Sequence, residues 1–199
     1  MSTIFIGDVH GCGDELEELL RTVAATRVVF VGDLFTKGPC PQKVWKLIHQ
    51  VNGEAVLGNH DDWMICNQKY LSLPNEAKQW LTNLPLRLEG ENWVVVHAGL
   101  APEGRPTSRR QSLVMRRWPD DSCTSHPFWW QLYRGKKLVI YGHDAARGLQ
   151  DHRPYTLGLD TGCVYGNRLT AYVLEEDRIV QVAAKRVYRA VSTSKQKGK

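Results

Sequence analysis

The first third of the chain alternates short apolar runs with longer segments of helical spacing. Runs rich in β-branched or aromatic residues occupy positions 3–6, 27–31 and 54–57, and a glycine follows each, which predicts three strands. Residues 14–24 and 42–51 repeat apolar side chains every three or four positions, which predicts two helices between the strands. Strands that alternate with helices favour a mostly parallel α/β sheet. We therefore expect a βαβαβ unit whose strand ends deliver polar residues to one edge of the sheet.

Further strands are predicted in the rest of the chain. Residues 93–96 and 137–141 are apolar runs of strand length, and each leads into a polar segment that contains histidine. Residues 156–159, 168–173 and 178–184 are rich in β-branched residues and are separated by turn residues, which predicts antiparallel strands.

The chain is expected to form a single domain. No repeat, low-complexity insert or linker interrupts residues 1–190. Residues 191–199 are mostly polar and basic, which predicts a disordered tail because such a segment buries too little apolar surface to fold. The oligomeric state stays open at this point.

The composition is typical of a globular domain, with 42% hydrophobic and 24% charged residues in 199. The sequence shows neither a signal-peptide pattern nor an apolar run of the ~20 residues that span a membrane, so we expect a cytoplasmic protein without membrane contacts. The five cysteines are odd in number and share no metal-binding spacing, as expected in a reduced compartment. The net charge of +5 suits a polyanionic partner, although no dedicated nucleic-acid motif is present.

The predicted strand ends carry residues of metal-binding type next to glycine. Carboxylate, imidazole and amide ligands without thiolate suit Mn in the first place, and otherwise Co, Fe, Zn or Mg, rather than a structural zinc site. Two such cations about 3.5–4 Å apart lower the pKa of a bridging water and neutralise phosphoryl oxygens, which is the chemistry of phosphoester or phosphoanhydride hydrolysis. The six candidate ligands are Asp8, His10, Asp33, Asn59, His97 and His143.

Five short motifs resemble those of the calcineurin-like metallophosphoesterases, the superfamily that includes the PPP-type phosphatases. In chain order they are Gly7-Asp8-Val9-His10-Gly11, Gly32-Asp33, Gly58-Asn59-His60-Asp61, His97-Ala98-Gly99-Leu100 and Tyr141-Gly142-His143. The resemblance covers nearly the whole chain. It implies a metallophosphoesterase catalytic domain built as a four-layer α-β-β-α sandwich with mixed sheets, and metals at the C-terminal strand ends.

The resemblance also implies a role for each of these residues. One metal is implied to bind Asp8 and His10, and Asp33 is implied to bridge the two metals. The implied ligands of the second metal are Asn59, His97 and His143. His60 is implied to protonate the leaving group and Asp61 to orient its ring, because a carboxylate partner fixes the tautomer of an imidazole and raises its pKa.

The second motif departs from the pattern of the protein phosphatases at Thr36 and Lys37, where those enzymes are expected to have Asp-Arg. Arginine binds two phosphate oxygens as a fork, whereas lysine supplies a single point charge. Lysine in this motif resembles the ApaH-like phosphatases, and the N-terminal segment is similar to symmetrical diadenosine tetraphosphatases. We therefore expect Lys37 to bind a nucleotide or polyphosphate substrate such as diadenosine tetraphosphate.

Other functions remain open at this point. A serine/threonine or dual-specificity protein phosphatase acting on a phosphoprotein is the main alternative, and a polyphosphatase or RNA cap hydrolase is a lesser one. A non-catalytic scaffold of the same fold predicts missing ligands, and none is missing in the motifs.

A second phosphate-binding cation is expected within residues 112–118, with Arg117 the better match to the family and Arg116 the alternative. A cluster of aromatic residues follows: Trp118, Phe128, Trp129, Trp130 and Tyr133. We expect most of them to pack a helical cap onto the sheet, with stacking on a nucleobase as the alternative. The turn Asp160-Thr161-Gly162 is expected to be structural.

Overall fold

The structure is a computed structural model that describes residues 2–70 and 72–191. The helices are α1 (Gly13–Thr22), α2 (Pro41–Gln50), α3 (Asn59–Cys66), α4 (Asn75–Thr82), α5 (Arg109–Val114) and α6 (Trp129–Leu132). The strands are β1 (Thr3–Ile6), β2 (Arg27–Phe30), β3 (Glu54–Ala55), β4 (Arg87–Glu89), β5 (Trp93–Val96), β6 (Leu138–Tyr141), β7 (Gln150–His152), β8 (Thr156–Gly158), β9 (Arg168–Val173) and β10 (Arg178–Ala183). The predicted tail, residues 191–199, lies outside the described residues apart from Val191. None of the helices in this described part is long and apolar enough to cross a bilayer.

The strands form two mixed sheets of five, in the orders β10-β9-β1-β2-β3 and β4-β5-β6-β8-β7. In the first sheet β1, β2 and β3 run parallel, as the βαβαβ order predicts, and the β9-β10 hairpin adds antiparallel strands beside β1. In the second sheet β5, β6 and β8 run parallel, and β4 and β7 flank them in antiparallel orientation. The expectation of mixed sheets from the family resemblance is confirmed.

The prediction of antiparallel strands is only partly correct for residues 156–159, because β8 pairs antiparallel with β7 but parallel with β6. β8 does not join the β9-β10 hairpin but lies in the second sheet, parallel to β6. Leu157 and Leu159 pack into the core between the two sheets, which a strand of either sheet can reach. An apolar run identifies a strand, but it does not specify which sheet the strand enters.

Alternating side chains of the strands produce the four predicted layers. Phe5 packs between the sheets with Trp93 and Ile140, whereas its neighbours Ile4 and Ile6 point to the opposite face, against α1 and α2. The outer face of the second sheet is covered by the segment that contains α5 and α6. Helices, two sheets and helices therefore stack in the expected α-β-β-α order.

The aromatic cluster packs the cap onto the second sheet, as expected. Trp129 and Tyr133 are buried there, and the indole N–H of Trp129 donates to the carbonyl oxygen of Ala98 at 2.9 Å. Phe128 and Trp130 stack on each other with ring centroids 5.3 Å apart. These side chains pack the cap onto the second sheet. This position does not favour stacking of the cluster on a nucleobase.

Candidate metal centre

The predicted ligands come together where strand ends of both sheets meet. Each of them follows a strand directly or within four residues, except the one that opens α3. They are Asp8 and His10 after β1, Asp33 after β2, Asn59 at the start of α3, His97 after β5 and His143 after β6. The two mixed sheets thus place residues from distant parts of the chain around one point.

Several side chains of the site stand on a left-handed backbone. The φ angles are 46° at His10, 55° at Asp33, 69° at Lys37 and 71° at His143. L-residues adopt this region at a cost, and such conformations persist only where the surroundings impose them, most often at functional sites. The backbone is shaped here to aim these side chains inward.

Two motif glycines allow the carboxylates to approach the backbone. A Cβ atom on Gly58 would overlap the Oδ1 atom of Asp33, and one on Gly142 would overlap the Oδ1 atom of Asp8. Glycine at these positions is therefore a requirement of the carboxylate geometry.

Three lone pairs converge on one point of the site. The Nδ1–H group of His97 donates to the carbonyl oxygen of Val31 at 2.8 Å, so its Nε2 lone pair faces Asn59 Oδ1 at 3.0 Å. The Nε2–H group of His143 donates to the carbonyl oxygen of Val114 at 3.1 Å, so its Nδ1 lone pair faces the same Asn59 oxygen at 2.9 Å. Burial lowers the pKa of His97, and burial followed by the charge of His97 lowers the pKa of His143 to about 2. Neutral imidazoles that face an amide oxygen in this way fit a divalent cation.

Asp33 connects this group to a second one. Its Oδ1 atom lies 3.6 Å from Nε2 of His97, and its Oδ2 atom lies 3.5 Å from Nε2 of His10. Lys37 Nζ donates to Nε2 of His10 at 2.9 Å, which requires the His10 proton to be on Nδ1, 3.1 Å from the Thr36 hydroxyl. Thr36 therefore orients the His10 ring so that its unprotonated Nε2 atom faces both Lys37 and Asp33.

Asp8, Asp33 and Asp160 form a cluster of buried carboxylates. Burial, and then repulsion by Asp160 and Asp33, raises the pKa of Asp8 well above its usual range. Burial raises the pKa of Asp33 and of Asp160 to about 6. A divalent cation supplies the positive charge that such a cluster needs. These donors, together with the converging histidines, fit a pair of divalent cations that share Asp33.

Asp160 is the residue of this cluster that the sequence analysis did not place in the site. Its Oδ1 atom accepts a hydrogen bond from the Gly162 amide at 3.0 Å, which agrees with the structural turn predicted there. The carboxylate also faces the cavity that contains Asp8 and His10. The available signal was its position after an apolar strand, the same pattern that identified Asp33.

His60 lies beside the metal centre, but its pKa is lowered rather than raised as the family resemblance implies. It is half-buried, lines the cavity of the metal centre, and its ring lies 5.2 Å from that of His10 in an edge-to-face arrangement. Burial, followed by the charge of Lys37, lowers the pKa of His60 to about 4. Its backbone N–H donates to Asp33 Oδ1 at 2.8 Å, so the His60 backbone is held beside the shared carboxylate.

The orienting role predicted for Asp61 has to be corrected, because its carboxylate is used elsewhere. Its Oδ2 atom accepts from the backbone N–H of Asp33 at 2.7 Å and of Gly58 at 3.2 Å, and its Oδ1 atom accepts from that of Leu34 at 3.0 Å. Within residues 2–70 and 72–191, Asp61 makes no hydrogen bond to the His60 ring. Asp61 is fully buried and fixes the loop that presents Asp33.

Replacing Asp61 by Ala is expected to lower the free energy of unfolding by about 3–5 kcal/mol, because three buried N–H groups lose their acceptor. The affinity for Mn²⁺ should fall roughly 10–100-fold, as for other residues that support metal ligands. Urea unfolding and metal titration measure the two effects. The neighbouring Asp62→Ala removes only an exposed ion pair with Arg109 and should cost at most about 1 kcal/mol. A fully stable Asp61→Ala variant with slow turnover would instead support a role through His60.

The order predicted for the two arginines is reversed. Arg116 lines the cavity of the metal centre, and its guanidinium donates to Asp144 at 3.3 Å and to the carbonyl oxygen of His143 at 3.4 Å. Arg117 turns the other way, donates to the carbonyl oxygen of His126, and lies over the Phe128 ring. Arg116 is therefore the cation placed to reach a phosphate, and Arg117 packs the cap.

Several known proteins are similar to this chain over most of its length. A bis(5'-nucleosyl)-tetraphosphatase PrpE [asymmetrical] from Oceanobacillus iheyensis is 30% identical, over 96% of this chain and 95% of that protein. A symmetrical bis(5'-nucleosyl)-tetraphosphatase from Vibrio cholerae is 26% identical, over 92% and 99%. A solved structure described as a diadenosine tetraphosphatase is 34% identical with a TM-score of 0.83, and the match covers 92% of this chain and 93% of that one.

The family profile described as Calcineurin-like phosphoesterase matches residues 1–181, a range that contains all six candidate ligands. Members of this family are metal-dependent phosphohydrolases, and the converging lone pairs and shared carboxylate supply the donors that this chemistry needs. On these grounds the chain belongs to the calcineurin-like phosphoesterase family, and it is a phosphohydrolase.

Proposed function

We propose that this chain hydrolyses phosphoanhydride bonds of dinucleoside polyphosphates, with diadenosine tetraphosphate as the representative substrate. The observation that carries the proposal is a cavity of about 1090 Å³ beside the candidate metal centre. Lys37 lines this cavity together with Asn59 and His60. A pocket of this size accommodates a nucleoside in addition to its phosphates. The names of the similar proteins point to the same class of substrate.

The ligand assignment that the resemblance implies is part of this proposal. Asp8 and His10 would hold one cation, Asn59, His97 and His143 would hold the other, and Asp33 would supply its carboxylate to both. When bound, the cations supply an activated water and neutralise the charge of the phosphoryl group. We propose manganese as the native ion and the cytoplasm as the compartment.

The side chains around the cations bind the substrate and move the proton. Lys37 and Arg116 approach the site from different sides and bind phosphate oxygens as charge-assisted donors. In the substrate complex the negative charge of the phosphate oxygens favours the protonated ring of His60, which donates its proton to the oxygen that leaves the phosphorus, and water restores that proton after product release. Asp61 acts only through the position of Asp33.

A protein phosphatase is the alternative function, and polyphosphate or capped RNA are alternative anhydride substrates. Thr36 and Lys37 count against the protein phosphatase, because the Asp-Arg fork that binds a phosphoryl group is replaced by a point charge. Thr36 has a different task here, since its hydroxyl lies 3.1 Å from His10 Nδ1 and positions a candidate ligand.

One experiment distinguishes these functions. The Mn²⁺-loaded protein is assayed in parallel on diadenosine tetraphosphate, inorganic tripolyphosphate, capped RNA and a phosphoserine peptide. We expect the highest kcat/KM with diadenosine tetraphosphate. A higher value with the phosphopeptide would overturn the proposal in favour of a protein phosphatase, and a higher value with tripolyphosphate or capped RNA would replace the nucleotide substrate.

Replacing Lys37 by Arg is expected to change the ratio of kcat/KM between diadenosine tetraphosphate and a phosphomonoester by about 10-fold, in favour of the monoester. The reason is that a fork binds two oxygens of one phosphoryl group, and a charge-assisted hydrogen bond contributes about 1.5–3 kcal/mol. Lys43→Arg is the matched control, because Lys43 pairs with Asp14 and Glu17 instead. An unchanged ratio would remove Lys37 as a determinant of substrate choice.

A further inference from the structure

We propose that the large groove beside the metal centre is a nucleoside-binding subsite, in which a nucleobase of the substrate stacks on the exposed indole of Trp63. This inference rests on the proposed function and names the part of the chain that recognises the nucleoside. The groove has a volume of about 1090 Å³ and continues from the candidate catalytic residues outward between α3 and α5.

Helix α3 carries both the indole of Trp63 and two residues of the candidate site. Trp63 lies three residues after His60 and four after Asn59, so all three side chains share one face of the helix. The rise of an α-helix separates Trp63 from Asn59 by about 6 Å along the axis. This separation suits a ribose between a phosphorus atom at the metals and a base at the indole.

Trp63 presents a large part of its indole to the groove. Large aromatic side chains are usually buried, whereas 46% of Trp63 is exposed, and it lines the groove. Lys69 covers one side of the indole, with Nζ 5.3 Å from the ring centroid. The base is therefore assigned to the opposite ring face.

The opposite wall of the groove is anchored to the metal centre. α5 contributes Leu113 and Val114 to this wall, and the carbonyl oxygen of Val114 accepts the hydrogen bond from His143. An ion pair between Arg109 and Asp62, 2.5 Å long, joins α5 to α3. The groove thus has an indole on one side and an aliphatic surface on the other, and we place the base between them.

Basic side chains line the groove, which favours a negatively charged nucleotide over an apolar ligand. Arg110 and Arg189 line it, and neither is in a salt bridge within the part of the chain that the structure describes. Lys37 stands at the inner end, above the Tyr165 ring at 5.4 Å. The base of a nucleotide can thus stack on the indole while the phosphates of that nucleotide lie near the basic side chains between the indole and the metal centre.

The decisive experiment measures binding without turnover. Adenosine 5′-(α,β-methylene)diphosphate and methylenediphosphonate differ only by the adenosine, and neither contains a P–O–P bond. Calorimetry on the Mn²⁺-loaded protein should show that the nucleotide binds more tightly by roughly 5–100-fold, the range reported by alanine substitution for one stacked base. Trp63→Ala should remove most of this difference, and Trp63→Phe should retain most of it.

A kinetic comparison accompanies the binding experiment. Trp63→Ala should raise KM for diadenosine tetraphosphate by roughly 5–100-fold and leave the constants for tripolyphosphate unchanged. Tyr155→Ala is the control, since Tyr155 is 38% exposed but does not line this groove.

The outcomes separate this inference from the proposed function. Equal affinity of the wild type for both phosphonates, or an adenosine preference that survives in Trp63→Ala, would overturn the subsite even if diadenosine tetraphosphate is hydrolysed. An adenosine preference that depends on Trp63, without hydrolysis of diadenosine tetraphosphate, would support the subsite and refute the proposed function.

Discussion

Replacing Asp33 by Asn is expected to lower kcat by about 10³-fold or more, because a metal centre contributes several kcal/mol of transition-state stabilisation. The amide keeps the shape of the side chain but removes the negative charge that lies between the two groups of ligands, 3.5 Å from His10 Nε2 and 3.6 Å from His97 Nε2. Asn also offers an N–H₂ group where a cation needs an acceptor. The loss should therefore arise from metal binding.

The metal content of Asp33→Asn, measured by mass spectrometry after equilibration with Mn²⁺, tests this cause directly. We expect fewer than two ions per chain, together with the loss of kcat. Asp151→Asn is the control, because it removes a carboxylate that pairs with Arg153 away from the site. A variant that binds both ions and turns over at the wild-type rate would exclude Asp33 as the shared ligand.

The sequence predicts most of the fold because its central strands are apolar and buried. β1, β2, β5 and β6 are short apolar runs, and all eight predicted strands are present. β4 and β7 were not predicted, because these three-residue segments, Arg87–Glu89 and Gln150–His152, are mostly polar and lie at a sheet edge. Edge strands are stabilised by backbone pairing with a neighbour more than by their own apolar residues. The local pattern of apolar and polar residues therefore does not predict β4 and β7.

The positions of the candidate ligands could be predicted for a related reason. Parallel strands end at the same edge of a sheet, so polar residues that follow several strands must lie together. The sequence does not show that strands of two different sheets meet at this point, and the sheet assignment of β8 is the error that results. Asp160 follows β8, and its place in the site becomes visible only with that assignment.

The sequence does not show which of two neighbouring side chains points toward the site. Arg116 and Arg117 follow Met115, whose backbone is extended, and consecutive side chains of an extended segment point to opposite sides. Arg117 forms an isolated bridge with Phe128, so Arg116 is the residue that turns toward the metal centre. The direction of each side chain depends on this tertiary pairing. The same applies to Asp61, whose carboxylate is committed to the backbone of a distant loop.

Replacing His60 by Asn is expected to lower kcat by about 10²–10⁴-fold while both cations stay bound, because general acid catalysis is lost and no ligand is removed. The effect should depend on the leaving group. An alkoxide is strongly basic and needs a proton as the bond to phosphorus breaks, whereas a p-nitrophenolate or a nucleotide diphosphate leaves with less help. The loss should therefore be greatest with an alkyl phosphate, and much smaller with diadenosine tetraphosphate and p-nitrophenyl phosphate, whose leaving groups are both weakly basic.

Metal analysis and kcat values for the three substrates distinguish proton donation from other roles of His60. The ring lies 5.2 Å from that of His10, and a structural contact between the two would affect all substrates equally. His49→Asn is a suitable control, since His49 is an exposed histidine of α2 that pairs with Glu76. Loss of metal from His60→Asn would make it a ligand, and this possibility has a structural basis because His10, Asp33 and His60 offer donor atoms within 4.8 Å of one another. Retained metal with a loss that grows with the basicity of the leaving group identifies His60 as the acid, because only proton transfer to the leaving oxygen depends on that basicity.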